Sequence, residues 1–209
     1  MLVRVSTLVA TGTQPQIRTD ITATTEALRV TGNVEVDETY VGGKPRPGTG
    51  YHKPGRGTSK TPVLALVERN GGVRTRVIAD VTAKTLKGAI RDHVDRSAGI
   101  VTDEWPPYRG IGREFQGGHA VVNHGIGEYS ANGANTNTAE SFFALLKRGV
   151  YGTFHHVSKT HLPRYCDEFE FRWNHREAPD GQRMESALRG SVGKRLTYQG
   201  TACQSPALN

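Results

Sequence analysis

Asn70-Gly71-Gly72 separates two runs of strand-forming residues, 62–69 (PVLALVER) and Val73 to Ala79. Asn-Gly between such runs supplies the backbone twist of a tight hairpin, so the two runs are predicted as neighbouring antiparallel strands. A further strand precedes them. Val34 to Val41 (VEVDETYV) alternates and is rich in β-branched and aromatic residues. With a period of two, Glu35, Asp37 and Thr39 fall on one face and Val34, Val36 and Tyr40 on the other. Residues 42–60 (GGKPRPGTGYHKPGRGTSK) between them form a loop dense in Gly and Pro.

The pattern then changes. Thr82 is placed to cap a helix over Ala83 to Val94, with Leu86, Ile90 and Val94 along one side. Residues 99–102 (GIVT) read as a short apolar strand ending at Asp103, and Trp105-Pro106-Pro107 stops any regular element there. Ala120 to Val122 is another short strand, followed by a Gly-rich polar loop over 125–135. A helix starts at Asn137 or Thr138 and runs to Arg148. A second covers His161 to Asn174, with Leu162, Tyr165, Phe169 and Trp173 at helical spacing. Three strands, helix, two strands and two helices imply a mixed α/β sheet with helices on its faces. A Rossmann domain is not expected, because no GxGxxG joins a first strand to a helix.

A chain of 209 residues suits one domain. Residues 32–198 are read as that domain, 1–31 as a poorly ordered arm and 199–209 as a disordered tail. No stretch approaches the ~20 apolar residues of a membrane span. Cys166 and Cys203 are too far apart to suggest a zinc ribbon or a disulfide framework, which fits a cytoplasmic setting. The formal charge is +7, with 27 Lys and Arg against 20 Asp and Glu, so an anionic partner such as nucleic acid is expected.

Cutting a phosphodiester with metal ions requires hard oxygen ligands converging on one cleft. Asp37 stands in mid-strand. Taken alone, it fits a solvent-facing acid on a one-sided sheet slightly better than a ligand. Asp103 lies at a strand exit, where functional residues gather in α/β sheets and where turn acids are also common. Glu140 is in the first turn of a helix, where the dipole by itself favours an acid. Glu140, Phe143, Ala144 and Lys147 are spaced to share one face, with Lys147 ~10 Å beyond Glu140. Glu38 and Glu104 point elsewhere. The spacing matters more than any one acid: 65 residues lie between Asp37 and Asp103 and 36 between Asp103 and Glu140.

Five segments, VEVDETYVGGK (34–44), VTDEWPPY (101–108), VVNHGIGEYS (121–130), NTNTAESFFALLKRGVYGTFHHVSKTHL (135–162) and YCDEFEFRWNHR (165–176), carry a resemblance. In combination they resemble the ISXO-like DDE transposases of bacterial and archaeal insertion sequences. The resemblance implies an RNase H-like fold, DNA as substrate, and strand cleavage and strand transfer using two Mg²⁺ or Mn²⁺ ions. It assigns Asp37 and Asp103 to the first two acidic motifs. The third position varies in the group, and some members carry Asn there. Here Asn137 and Glu140 both qualify, and Glu140 is favoured because a carboxylate neutralises a second metal ion. Lys147 matches the basic residue two turns on. Assembly on DNA implies a homo-oligomer. Such proteins usually carry an N-terminal zinc ribbon, and the residues before the first strand contain no Cys, so end recognition is expected elsewhere. The alternatives are a truncated, inactive DNA-binding remnant and a related RNase H-like nuclease.

The loop cations Lys44, Arg46, Lys53 and Arg56, with Lys147, Arg148, His155 and His156, are the candidate DNA contacts. Neither a P-loop nor HExxH is present, so His119, His124 and His161 are read as structural or surface residues. Trp105 and Tyr108 suit base stacking or the core, with core packing expected for at least one. The Tyr165, Phe169, Trp173 stripe is read as core.

Overall fold

Residues 29–43, 58–122 and 137–192 are described by a computed structural model. The elements in chain order are β1 (Asn33–Val41), β2 (Thr61–Glu68), β3 (Val73–Val77), α1 (Ala83–His93), β4 (Gly99–Asp103), β5 (His119–Val122), α2 (Asn137–Arg148), α3 (Leu162–Asn174) and α4 (Asp180–Ser191). The strands form one mixed sheet in the order β3-β2-β1-β4-β5. The pairs β1–β2 and β2–β3 are antiparallel. The pairs β1–β4 and β4–β5 are parallel.

The expected hairpin forms. Asn70 adopts φ 61°, and the Glu68 N–H donates to the Gly72 carbonyl at 2.8 Å. Left-handed backbone suits Asn far better than a β-branched residue. The return from β3 to β4 needs a crossover, which α1 supplies. The Thr82 hydroxyl accepts the Thr85 N–H at the start of α1, as its sequence position suggests.

Both faces of the sheet are covered. β2 shows why: its even residues Leu64 and Leu66 face one way, its odd residues Val63, Ala65 and Val67 the other, and all are buried. A strand apolar on both sides belongs inside a two-faced sandwich of helices. On one face Val34, Val36, Leu64, Leu66 and Ile100 pack with Leu86 and Ile90 of α1. On the other, Val63, Ala65, Val67 and Val73 pack with Ala139, Phe142, Phe143 and Leu146 of α2 and with Leu162, Cys166 and Phe169 of α3. The one-sided sheet that would leave Asp37 facing solvent is therefore corrected: its face of β1 is the one that α2 covers.

Helix α3 also closes the free edge of β3. Glu170 and Asn174, one turn apart, reach alternate residues of the strand. The Glu170 carboxylate accepts the Thr75 N–H at 2.8 Å, and Asn174 accepts from the Val73 N–H at 2.7 Å while donating to its carbonyl at 3.1 Å. Side-chain partners here do what another strand would do, and remove a template for edge-to-edge association.

Two elements lie outside the sequence expectations. Helix α4 has no buried residue, and Met184 and Leu188 on it are exposed, so its apolar periodicity is thin. After Arg148 the chain continues in a π turn (Gly149–Thr153). Here Gly149 meets α3 so closely that a Cβ would lie 1.9 Å from the Phe169 Cζ. Gly149→Ala is expected to cost about 1–3 kcal/mol through overpacking, read as a lower urea midpoint; an unchanged midpoint would mean the ring moves aside freely. Trp105-Pro106-Pro107 ends β4 and opens a 3₁₀ turn (Pro106–Tyr108).

Val30, at the end of the stretch read as an arm, is buried in the core and bridges to Val94. Residues 1–28 and 193–209 lie outside the described residues. Among the described residues no helix is long and apolar enough to cross a membrane.

Candidate active site

β1 and β4 run side by side until Glu35 stands opposite Val101. Asp37 and Asp103 each lie two residues further on. Since side chains alternate, Asp37 shares its face with Glu35, and Asp103 shares its face with Val101. Beyond this point β1 stays paired to β2 as far as Val41, whereas β4 ends at Asp103. Two carboxylates thus meet one face of the sheet where a parallel pair opens at its carboxyl ends, the usual place for sites in α/β sheets.

Asp37 is half-buried and accepts the Glu38 N–H at 2.8 Å. Its pKa is pushed up to about 7, chiefly by burial, then by the negative charge of Glu38, with further contributions from Asp103 and Glu140; the Glu38 N–H opposes the shift. Glu140 therefore acts on Asp37 from a helix begun a hundred residues later. Asp103 accepts the Trp105 N–H at 3.1 Å.

Helix α2 buries Ala139, Phe142, Phe143 and Leu146. Glu140 and Ala144 are exposed beside that face and Lys147 is half-buried. Phe143 thus belongs to the core, and the single face expected for Glu140, Phe143, Ala144 and Lys147 straddles its border. Asn137 is exposed at the first position of the helix.

Glu35 was not singled out from the sequence. It is fully buried, with 0% of its surface exposed. Its Oε2 accepts the N–H groups of Thr138 at 2.9 Å and Ala139 at 3.0 Å, and its Oε1 accepts the Thr138 hydroxyl at 2.9 Å. Arg69 approaches Oε1 at 3.4 Å. A signal existed: three polar residues on one strand face, and a helix whose first N–H groups need an acceptor.

Glu38 projects to the opposite face, as expected, and accepts the hydroxyl of buried Tyr108 at 2.8 Å. Burial and the Glu38 charge drive the Tyr108 pKa upward. Tyr108 also meets Trp105 edge to face at 6.1 Å, so Tyr108 is a core residue. Phe169 is core too, with Tyr165 against Phe154 and Trp173 against Phe142.

Arg148, His155 and His156 are exposed, and His155 holds a left-handed φ of 58°. Lys44, Arg46, Lys53, Arg56 and His124 lie outside the described residues. The loop's first flank is anchored, because the Tyr151 hydroxyl donates to the Gly42 carbonyl at 3.2 Å. His119 lies 2.8 Å from the Thr102 hydroxyl, and burial lowers its pKa.

Among the described residues no three His, Cys, Asp or Glu side chains are grouped closely enough to hold one ion. The donor chemistry nevertheless fits a hard divalent cation. Asp37, Asp103 and Glu140 offer carboxylate oxygens only, and the Asp37 pKa, raised chiefly by burial and in smaller part by the neighbouring acids, marks a charge that a cation would stabilise.

Two solved structures are similar to this chain at low identity. One is the Mos1 transposase paired-end complex with left transposon end: 12% identity, 85% of this chain, 62% of that chain, TM-score 0.31. The other is a pre-cleavage Mos1 transpososome: 12% identity, 87% of this chain, 63% of that chain, TM-score 0.32. This chain thus covers less than two thirds of either. No protein of curated function matches it in sequence. The ISXO2-like transposase domain matches residues 29–174, more than half of the chain and a span that includes Asp37, Asp103 and Glu140, so the chain belongs to the ISXO2-like transposase domain family.

Proposed function

We propose that this domain is an RNase H-like DDE transposase core that cleaves DNA at transposon ends and joins it to a target. Asp37, Asp103 and Glu140 would hold two Mg²⁺ or Mn²⁺ ions. The observation that carries the reading is that Asp37 and Asp103 share one sheet face where β1 and β4 part, with Glu140 in the first turn of the helix over that face and near enough for its charge to act on Asp37. The sheet order, with three antiparallel strands followed by two parallel ones, supports the RNase H-like assignment.

Bound divalent ions would supply an activated water or 3′-hydroxyl and a stabilised leaving oxygen. The residues of the chain do the rest. Asp37 surrenders the proton that its raised pKa retains near neutrality. Lys147 and Arg148 stand in the last turn of α2 and would contact the phosphates of the bound strand. His155 and His156, with the cations of residues 44–56, extend the basic surface. Each phosphate neutralised adds affinity that weakens with salt. Two DNA ends would call for a homo-oligomer, acting on DNA in the cytoplasm.

The test is cleavage of element-end DNA, and transfer of a pre-cleaved 3′-hydroxyl end, in Mg²⁺ or Mn²⁺. Losing an outer-shell partner of a metal site costs 10- to 100-fold, so Asp103→Ala and Glu140→Ala are each expected to lose more than about 100-fold. Asn137→Ala should remain active. Full activity of Asp103→Ala would sink the mechanism. A dead Asn137→Ala beside an active Glu140→Ala would move the third ligand to Asn137. Cleavage without joining would indicate a nuclease, and binding without cleavage an inactive remnant.

A further inference from the structure

The chemistry above leaves Glu35 without a task, although it is the acid on β1 with no exposed surface. Its partners are unusual in origin. The first N–H groups of a helix have no partner within it, and a cap normally comes from a residue just before the helix. Here the acceptor for the Thr138 and Ala139 N–H groups comes from a strand over a hundred residues earlier. The cap is therefore also a tether between α2 and β1.

The tether is short on both sides. Asp37 is two residues along the same face of β1 from Glu35, about 6.6 Å of strand rise. Glu140 follows Ala139 directly. One side chain thereby fixes where the first turn of α2 sits against the strand that carries Asp37. Arg69, at the end of β2, holds Glu35 from the other side at 3.4 Å.

We propose that Glu35 is a positioning residue of the carboxylate site: by docking the first turn of α2 on β1 it sets the separation of Glu140 from Asp37, and through it the affinity for divalent cations. This rests on the reading of Asp37 and Glu140 as ligands. A carboxylate is required because its partners are donors. Gln has one acceptor atom, and its NH₂ would face either the two amide N–H groups or the Arg69 guanidinium, which has no acceptor.

The experiment titrates the full chain with Mn²⁺, counting free ion by electron paramagnetic resonance, and follows amide exchange at Thr138 and Ala139. Glu35→Gln is expected to weaken Mn²⁺ binding about tenfold and to speed exchange at both amides. DNA cleavage should return to within a few-fold of wild type at saturating Mn²⁺. Ile90→Val, which loosens the opposite core, should lower the melting temperature and leave Mn²⁺ affinity unchanged. If Glu35→Gln does not fold, Thr138→Val removes only the hydroxyl bond to Glu35 and should weaken Mn²⁺ binding to a smaller degree. Wild-type affinity in the folded Glu35 variant, or in Thr138→Val when that is the one tested, overturns the proposal. Asp37→Ala and Glu140→Ala in the same titration separate the two readings. If they keep wild-type affinity, the ligand assignment fails; if they lose it and the Glu35 variant does not, only the positioning role fails.

Discussion

Asp37→Asn is expected to abolish strand cleavage and yet stabilise the metal-free protein at pH 8. The side chain is half-buried among like charges, and its pKa stands at about 7 against an ordinary value of 3.8. Below about pH 4 the carboxyl is protonated in folded and unfolded chains alike, and nothing is lost. As pH rises from there towards 7, the unfolded chain releases its proton while the folded one retains it, so stability falls. Above 7 the folded protein carries the full penalty of the charge. A shift of about 3 units at 1.36 kcal/mol each bounds that penalty near 4 kcal/mol, and partial solvation brings it to roughly 2 kcal/mol. Asn is close in shape, keeps an acceptor for the Glu38 N–H, and has no charge.

Thermal melts in chelator should therefore show the variant about 1–3 kcal/mol more stable at pH 8, with the difference vanishing near pH 4. Added Mg²⁺ should reverse the order at pH 8. It stabilises wild type by mass action and leaves the variant unmoved. A variant less stable than wild type at pH 8 in chelator would show that burial and the neighbouring acids exert no such penalty. The trade is common in active sites, where stability is given up for function.

Glu170→Ala is expected to cost about 3–5 kcal/mol, the largest stability effect away from the acids. Arg74 and Glu170 are both buried and meet at 2.6 Å between β3 and α3. Thr75 adds its N–H at 2.8 Å and its hydroxyl at 3.1 Å to the same carboxylate. Burial raises the Glu170 pKa, while Arg74 and Thr75 pull it down. Truncation leaves the guanidinium buried without this counter-charge and opens the β3 edge. Replacing both partners by Leu should recover only the part due to the stranded guanidinium, because a buried ion pair contributes little beyond an apolar pair of similar size while the Thr75 N–H still loses its acceptor. Urea denaturation reads both. A loss below about 1 kcal/mol for Glu170→Ala would mean that the arginine reaches water once its partner is gone.

Much of the sheet was legible from residues alone. Val34 to Val41, 62–69 and Val73 to Ala79 carry β-branched alternation, and Asn70-Gly71-Gly72 fixes their hairpin, so strand identity and order are local properties. Thr82 and the Leu86, Ile90 pair mark α1 in the same way. Helix α4 was not legible, because Met184 and Leu188 remain exposed and nothing apolar on it is fully buried. The buried acids of α3 were hidden for the opposite reason. Asp167, Glu168 and Glu170 look like solvated acids, yet all three are buried, and for Glu170 it is the docking of α3 on the edge strand that supplies its partners.

The division is sharpest on β1. Residue patterns alone place Glu35, Asp37 and Thr39 on one strand face, Asp103 at a strand end and Glu140 in the first turn of a helix, because these follow from periods of two and 3.6 within single elements. Where each acid ends up, sealed or open, follows from packing between elements. Whether that face of β1 met water or a helix depended on α2, which begins more than fifty residues after α1 starts and packs by its own apolar stripe. Once α2 docks, Glu35 is sealed beneath its first turn, and Asp37 is left half-open where the parallel strands part. Two acids that share one strand face are separated into a buried cap and a candidate ligand by one contact between elements far apart in the chain.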